Sequence, residues 1–341
     1  MDTSETPVFM PDYCRDFYCI ADRCRHSCCI GWEIDIDDLS LTRFRSVTGP
    51  LSKKLRESIE EAEDGTAHFI LQGDAERCPF LNKDNLCELI LDLGEDSLCD
   101  ICREHPRFRN FFSIREEVGL GLCCEEAARL LLIQRGPIRL VECMPMPAGS
   151  EPKEADDLEQ AFFQYREDLF RIVFDGSLSL SEQLTALSGK EKPLLSSSDL
   201  SRWGSFLKTL ERLDSSWDEE LKRLQNTVTD PDISGFDAYM KECGREAEYR
   251  NLLWYFLFRH LTDGLIYEEG DTFEECLPEL QKQVLFAQFS VELLHCLGAC
   301  HWAEKGEYSL DDQIGIVRLY SSEIEYSDEN VEQIIDHFSQ I

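Results

Sequence analysis

Basic side chains are scarce in this sequence: 34 Lys and Arg stand against 68 Asp and Glu, a formal net charge of −34. Nucleic-acid binding rests on neutralising phosphates with Lys and Arg, so the balance argues against that class of partner. A lysine-bearing protein fits such a field, and plain solubility accounts for the same excess of acid. No run of 18 or more apolar residues occurs; the stretch NLLWYFLFRHL is too short and carries Arg259 and His260. Membrane insertion is therefore not expected. The opening residues, MDTSETPVFMPDYC, lack the basic region and apolar run of a signal peptide. A cytoplasmic protein is expected, and stable disulfides are rare in that reducing compartment.

Nucleotide and hydrolase motifs are missing too. Gly119-x-Gly121 has no third glycine and no βα series around it, so it reads as a strand end before a helix. No Ser-His-Asp or Cys-His arrangement can be placed by motif, and no catalytic base is named by one. The C-x3-C-x2-C pattern of radical enzymes built on S-adenosylmethionine begins with Cys24 and Cys28 but meets Gly31 at its third ligand.

Thiols are what the chain has in abundance. Of 16 cysteines, twelve lie in residues 1–143. The compact set is Cys24, Cys28 and Cys29, then Cys78, Cys87, Cys99 and Cys102, then the adjacent pair Cys123-Cys124. The two-residue gap between Cys99 and Cys102 lets both sulfurs reach one ion. Redox dithiols use the same gap, but where a strand meets a helix in a βαβ unit, and none is evident. Each cysteine alone reads as a buried small hydrophobe; the set reads as a metal site. Structural zinc and an iron–sulfur cluster both take four thiolates, and spacing does not separate them. Beside this set, Arg103, Arg107, Arg109 and Arg115 crowd thirteen residues. They can offset thiolate charge or simply pair with neighbouring acids. His105 reads as turn chemistry more than as a ligand.

The two halves differ. Residues 1–150 hold 17 basic and 28 acidic side chains; the remainder holds 17 and 40. The expected organisation is a cysteine-rich metal domain over 1–143, a proline-rich linker over 144–157, and an α-helical bundle over 158–341. Apolar stripes predict helices over 158–174, 201–213, 245–267, 277–306 and 328–341. The front half predicts a helix over 51–64, strands over 32–36, 67–71 and 138–143, a helix over 123–136, and otherwise irregular chain supported by metal. The fold class is mainly α.

Three stretches carry a resemblance: MPDYCRDFYCIADRCRHSCCIGWEIDID, CPFLNKDNLCELILDLGEDSLCDICREHPRF and GLGLCCEEAARLLL. Their order resembles the flagellin lysine N-methylase family (FliB type), and the front half is similar to zinc- or iron-chelating cysteine domains. NLLWYFLFRHL and IVRLYSSEIEYSDENVEQII resemble that family's C-terminal signatures. The resemblance implies an enzyme that transfers methyl from S-adenosylmethionine to flagellin lysines and carries a [4Fe–4S] cluster, with zinc as the alternative metal. The thiols it matches are Cys19, Cys24, Cys28, Cys29, Cys78, Cys87, Cys99, Cys102 and Cys124; Cys24, Cys78 and Cys102 are the foremost ligands. Family members show Ser-Cys-Pro-Glu where this chain has Cys123-Cys124-Glu125-Glu126. The competing class is a non-enzymatic zinc- or iron-binding module with a partner-binding helical half.

Overall fold

The computed structural model describes residues 6–62, 65–146, 153–189, 194–195, 197–226, 232–265 and 272–338. In chain order the strands are β1 (Val8–Pro11), β2 (Asp35–Ile36), β3 (Ile59–Glu61), β4 (Ala67–Phe69), β5 (Arg107–Phe111), β6 (Glu116–Leu120) and β7 (Leu140–Met144). The helices of the front half are α1 (Asp38–Ser46), α2 (Pro50–Glu57), α3 (Glu88–Leu93), α4 (Asp100–Glu104) and α5 (Glu125–Leu132). Those that follow are α6 (Asp157–Val173), α7 (Leu180–Ser188), α8 (Ser197–Leu207), α9 (Trp217–Asn226), α10 (Ile233–Glu242), α11 (Ala247–His260), α12 (Phe273–Lys305), α13 (Leu310–Tyr320) and α14 (Asp328–Phe338). The protein is mainly α, as its periodicity predicts.

Contacts gather the chain into two compact units. The smaller is residues 18–108 with Cys124–Glu126; the larger is 1–17, 109–123 and 127–341. This division runs differently from a partition at 144–157, of which 147–152 lie outside the described residues.

The larger unit is a bundle built on α12, which packs against α6, α7, α9, α10, α11, α13 and α14. α12 has 33 residues and opens with a capping box: Thr272 and Glu275 satisfy each other's backbone donors. It closes at Gly306, whose φ of +73° the left-handed cap requires. α12 is long and apolar enough to cross a membrane, but 89% of its most apolar window is buried inside the bundle. A helix apolar all round is what a bundle centre needs. Gly298 lets a neighbour approach: a Cβ there would stand 2.5 Å from Tyr249 Oη and 3.0 Å from Phe236 Cζ.

Two tertiary effects shift the expected helices. The helix predicted over 201–213 ends at Leu207, so Ser201 lies within α8 rather than at its cap. The chain beyond is held by other partners: Glu211 N donates to Asn330 Oδ1, and Leu213 N and Asp214 N both donate to Glu323 Oε2. The helix predicted over 51–64 stops at Glu57, after which β3 pairs with β4 in the sheet ordered β2-β4-β3.

The front half is also less irregular than expected. The larger unit carries a four-stranded sheet ordered β5-β6-β1-β7, with β1 parallel to β6 and antiparallel to β7. Buried Glu117 of β6 is held by α6: Arg166 donates to both its oxygens at 2.7 Å, and Arg115 joins at 2.6 Å. Burial pushes the Glu117 carboxyl up, but the two guanidiniums outweigh it and hold it below its usual range.

Candidate functional site

In the smaller unit, Phe44, Leu55, Phe69, Phe80 and Leu89 form a small apolar core, and thiols are part of it. Cys78 and Cys99 are buried in this core; Cys29, Cys87 and Cys102 are partly buried against it. Backbone bonds set these positions. Cys78 N donates to Cys29 O at 2.8 Å, tying two thiol-bearing segments together. The loop 78–87 folds back on itself: Leu81 N reaches Cys78 O, Asn82 N reaches Leu86 O, and Leu81 pairs with Cys87. Asn82 Oδ1 accepts from Asp84 N and Leu86 N, which fixes the turn. Cys99 caps α4 and Cys102 follows one turn later, while Asp37 Oδ2 accepts from Asp100 N at 2.9 Å. The Cys99 and Cys102 sulfurs are hydrogen-bonded, which lowers the Cys99 pKa and raises that of Cys102.

A second group lies in the loop 19–28. Ala21 N donates to Cys19 Sγ at 3.4 Å. Cys24 Sγ donates to His26 O at 3.3 Å and lies 3.8 Å from Glu125 Oε2. Arg25 clamps Glu125, its N at 2.9 Å and its Nε at 2.7 Å, so Cys124 is carried to the same loop. Cys28 and Cys29 are hydrogen-bonded to each other. That bond lowers the Cys29 thiol to about 7 against the opposing effect of burial, helped by Ser27 and Arg77.

All eight candidate ligands, and Cys19, thus fall in the smaller unit, while Cys14, Cys123 and Cys143 belong to the larger one. Cys123 is buried and hydrogen-bonded to Tyr326. The donor set is the soft, thiolate-rich chemistry that zinc and iron–sulfur clusters take. Among the described residues no three Cys, His, Asp or Glu side chains stand close enough to hold an ion as placed. The sulfurs are paired as thiols, and ligation requires those protons to leave.

The arginines near Cys99 and Cys102 are engaged in pairing. Arg103 pairs with Asp100, and Arg107 donates to Arg103 O. In the larger unit Arg109 pairs with Glu116 and Arg115 with Glu117. His105 packs edge-on against Trp32, and burial lowers it to about 4, so it is neutral at pH 7.

The larger unit holds a cavity of about 830 Å³ lined from α7, α10, α11 and α12. That volume lies in the range of small-molecule sites. Glu292, His295, Asp237 and Arg250 line it. Burial raises the Glu292 carboxyl above its usual range. His295 Nε2 sits 2.9 Å from Asp237 Oδ1. Elsewhere in the bundle a buried network joins His260 Nε2 to Glu325 Oε1 at 2.8 Å and Arg259 Nη1 to Tyr255 Oη at 2.8 Å. Glu325 ends a π-helical turn, Ser321–Glu325, a geometry common near functional sites. Tyr255 and Tyr320 are fully buried, and burial raises both phenols well above 10. Neither is placed to meet a surface lysine.

Sequence reasoning missed Asp237, Glu292, His295 and Glu325. The available signal was their type: acids and imidazoles inside otherwise apolar helical stretches must find partners or a cavity.

A thiol-rich unit and a helical bundle with an acid- and imidazole-lined cavity define a two-part chain. Residues 151–341 match the FliB lysine N-methylase C-terminal domain, and the chain belongs to that family. It is 24% identical over 132 residues to the lysine-N-methylase of Salmonella choleraesuis (strain SC-B67), covering 38% of this chain and 33% of the relative. It is likewise 24% identical over 132 residues to that of Salmonella typhimurium, with the same coverage. The flagellar biosynthetic protein FliU of Salmonella muenchen is 25% identical over 132 residues, 38% of this chain and 78% of the relative. The match spans about a third of the length of the two lysine-N-methylases. No solved structure matches.

Proposed function

We propose that this protein is a cytoplasmic protein-lysine N-methyltransferase that moves methyl groups from S-adenosylmethionine to exposed lysines of flagellin. The observation that carries the reading is the FliB match over residues 151–341, the segment that contains the cavity. Relatives named lysine-N-methylase and a flagellar biosynthetic protein support the reaction and the substrate. The net charge of −34 favours capture of a lysine-bearing partner.

The chemistry sets two demands. A lysine amine is protonated at neutral pH, with a reference pKa of about 10.4, and attacks only when neutral. Its lone pair then forms the N–C bond in line as the donor's C–S bond breaks. The sulfur keeps the electron pair, and the methylated ammonium sheds one proton. Within the cavity, Glu292 and the His295–Asp237 pair are the groups able to take that proton, and Arg250 offers a guanidinium to a carboxylate of the donor. Holding amine and methyl in line is a positioning task that a walled cavity performs.

In this reading the smaller unit holds the family's [4Fe–4S] cluster on thiols drawn from Cys24, Cys28, Cys29, Cys78, Cys87, Cys99, Cys102 and Cys124, with zinc as the alternative. When bound, such a centre ties the loops of that unit together through metal–thiolate bonds. The test of the cavity is donor binding and turnover in Glu292→Gln and His295→Asn variants of the full chain. Turnover is expected to fall 10²-fold or more, the order expected for loss of a proton acceptor. Wild-type turnover in both variants would remove the cavity from the reading.

A further inference from the structure

The thiols of the smaller unit do not form one crowd. Cys29, Cys78, Cys87, Cys99 and Cys102 lie in or against the apolar core. Cys19, Cys24, Cys28 and Cys124 belong to the surface loop that Arg25 fastens to Glu125. Cys19 and Cys28 are exposed there, Cys24 and Cys124 partly so. The neighbours of each sulfur follow the same division. Cys102 is perturbed by Cys99, Cys29 and Cys78, and Cys78 by Cys29 and Cys87. Cys24 is perturbed by Cys19, and Cys28 by its partner Cys29, then by Cys19 and Cys124. The adjacent pair Cys28-Cys29 joins the two groups.

The Cys28 and Cys29 sulfurs are hydrogen-bonded to each other, but their further thiol neighbours differ: Cys28 has Cys19 and Cys124, whereas Cys29 neighbours Cys78, Cys87 and Cys102. One four-coordinate centre would leave five of nine thiols idle. Seven of those nine are in the loop or against the core without full burial, where a cysteine gains little as a packing residue.

We propose that the smaller unit holds two metal centres: an inner one on four of Cys29, Cys78, Cys87, Cys99 and Cys102, and an outer one on Cys19, Cys24, Cys28 and Cys124. The outer centre takes a single thiophilic ion of the zinc type. Four thiolates suit a tetrahedral ion. Arg25 and the clamped Glu125 stand behind the ligands and orient the loop. This rests on the reading that the unit binds metal, and adds a second site to it. Cys19 changes status with it, from a matched cysteine to a ligand, and Cys28 and Cys29 become ligands of different centres.

The experiment is native mass spectrometry of the full chain purified without oxygen from cells supplied with iron and zinc. It counts bound metal groups, and no substrate or donor is present, so its result is separate from that of a methylation assay. The wild-type chain is expected to carry two groups. The double variant Cys19→Ser with Cys124→Ser, placed at the surface so that the core is spared, is expected to lose one metal ion and keep the other group. The double variant Cys99→Ser with Cys102→Ser is expected to lose the inner group, by direct loss or by unfolding. A wild-type chain with one group or none would overturn the proposal. So would a surface variant that keeps the full complement, or one that loses everything because all the thiols serve one centre.

Discussion

Replacing Glu117 with glutamine removes the charge on which two guanidiniums depend. Glu117 and Arg166 are both buried, joined by two bonds of 2.7 Å, with Arg115 at 2.6 Å as the third member. Around the Arg166 guanidinium stand the rings of Phe112, Phe162, Phe163, Phe170 and Phe258, with centroids 5.4–5.9 Å away. These faces favour a cation but do not replace a carboxylate. Breaking a buried pair by deleting one partner costs about 3–5 kcal/mol, because the survivor remains buried and uncompensated. For a domain of this size each kcal/mol moves the midpoint by about 2–4 °C, so Glu117→Gln should melt roughly 6–20 °C lower. Arg166→Met should cost less, since Glu117 keeps Arg115 and methionine refills the aromatic cage. The pH dependence follows from the sign of the shift. The folded Glu117 carboxyl lies below its ordinary value of 4.5, so its contribution is present above that pH and is lost as pH falls through the folded value. The gap between wild type and variant should therefore be wide at pH 7 and narrow in acid. Thermal unfolding by circular dichroism from pH 3 to 8 reads this. A variant within about 1 kcal/mol of wild type at pH 7 would refute the argument, since the loss from a buried ion pair would then be missing.

Three further outcomes are expected. Gly298→Ala should destabilise the bundle by about 1–3 kcal/mol in urea unfolding, because its new Cβ meets Tyr249 Oη and Phe236 Cζ. His260 is pushed down by burial but raised further by Asp263 and Glu325, so its net shift is upward from 6.5. Its stabilising share is full below pH 6.5 and fades as pH rises through the folded value; His260→Gln should thus cost more at pH 6 than at pH 9, measured by denaturant midpoints. Stripping metal with a chelator should open residues 18–108 to limited proteolysis while the far-ultraviolet helical signal of residues 155–338 persists; equal loss of both would show that the bundle depends on the metal.

Local patterning explains what was readable in advance. The stripe Leu158, Phe162, Tyr165 and Leu169 of α6 and the apolar middle of α11 are properties of the segments themselves, so patterning found them. Cysteine spacing singled out nine thiols, of which the smaller unit gathers all but Cys123. The strand over 138–143 and the strand end at Gly119-x-Gly121 were readable, but the four-stranded sheet they join was not. β1 is only four residues long and ends in Pro11, and its partners β6 and β7 lie more than 100 residues away. β6 begins with two buried glutamates, which hide its strand pattern until Arg109, Arg115 and Arg166 are known to meet them. The early end of α8 has the same origin: Asn330 and Glu323, far along the chain, take the backbone donors that a longer helix would have used. The cavity residues Glu292 and His295 sit in a helix predicted from its apolar pattern alone, and their packing against α7 and α10 shows them facing a shared space.

The most direct test of the central claim incubates the metal-loaded protein, S-adenosylmethionine and unmodified flagellin, then measures the flagellin mass. Gains in steps of roughly 14 Da, confined to lysines and absent without the donor, are predicted for a charge-conserving methylation. Flagellin of unchanged mass, with the metal intact and the donor fresh, would contradict the account and leave a metal-binding module as the better description.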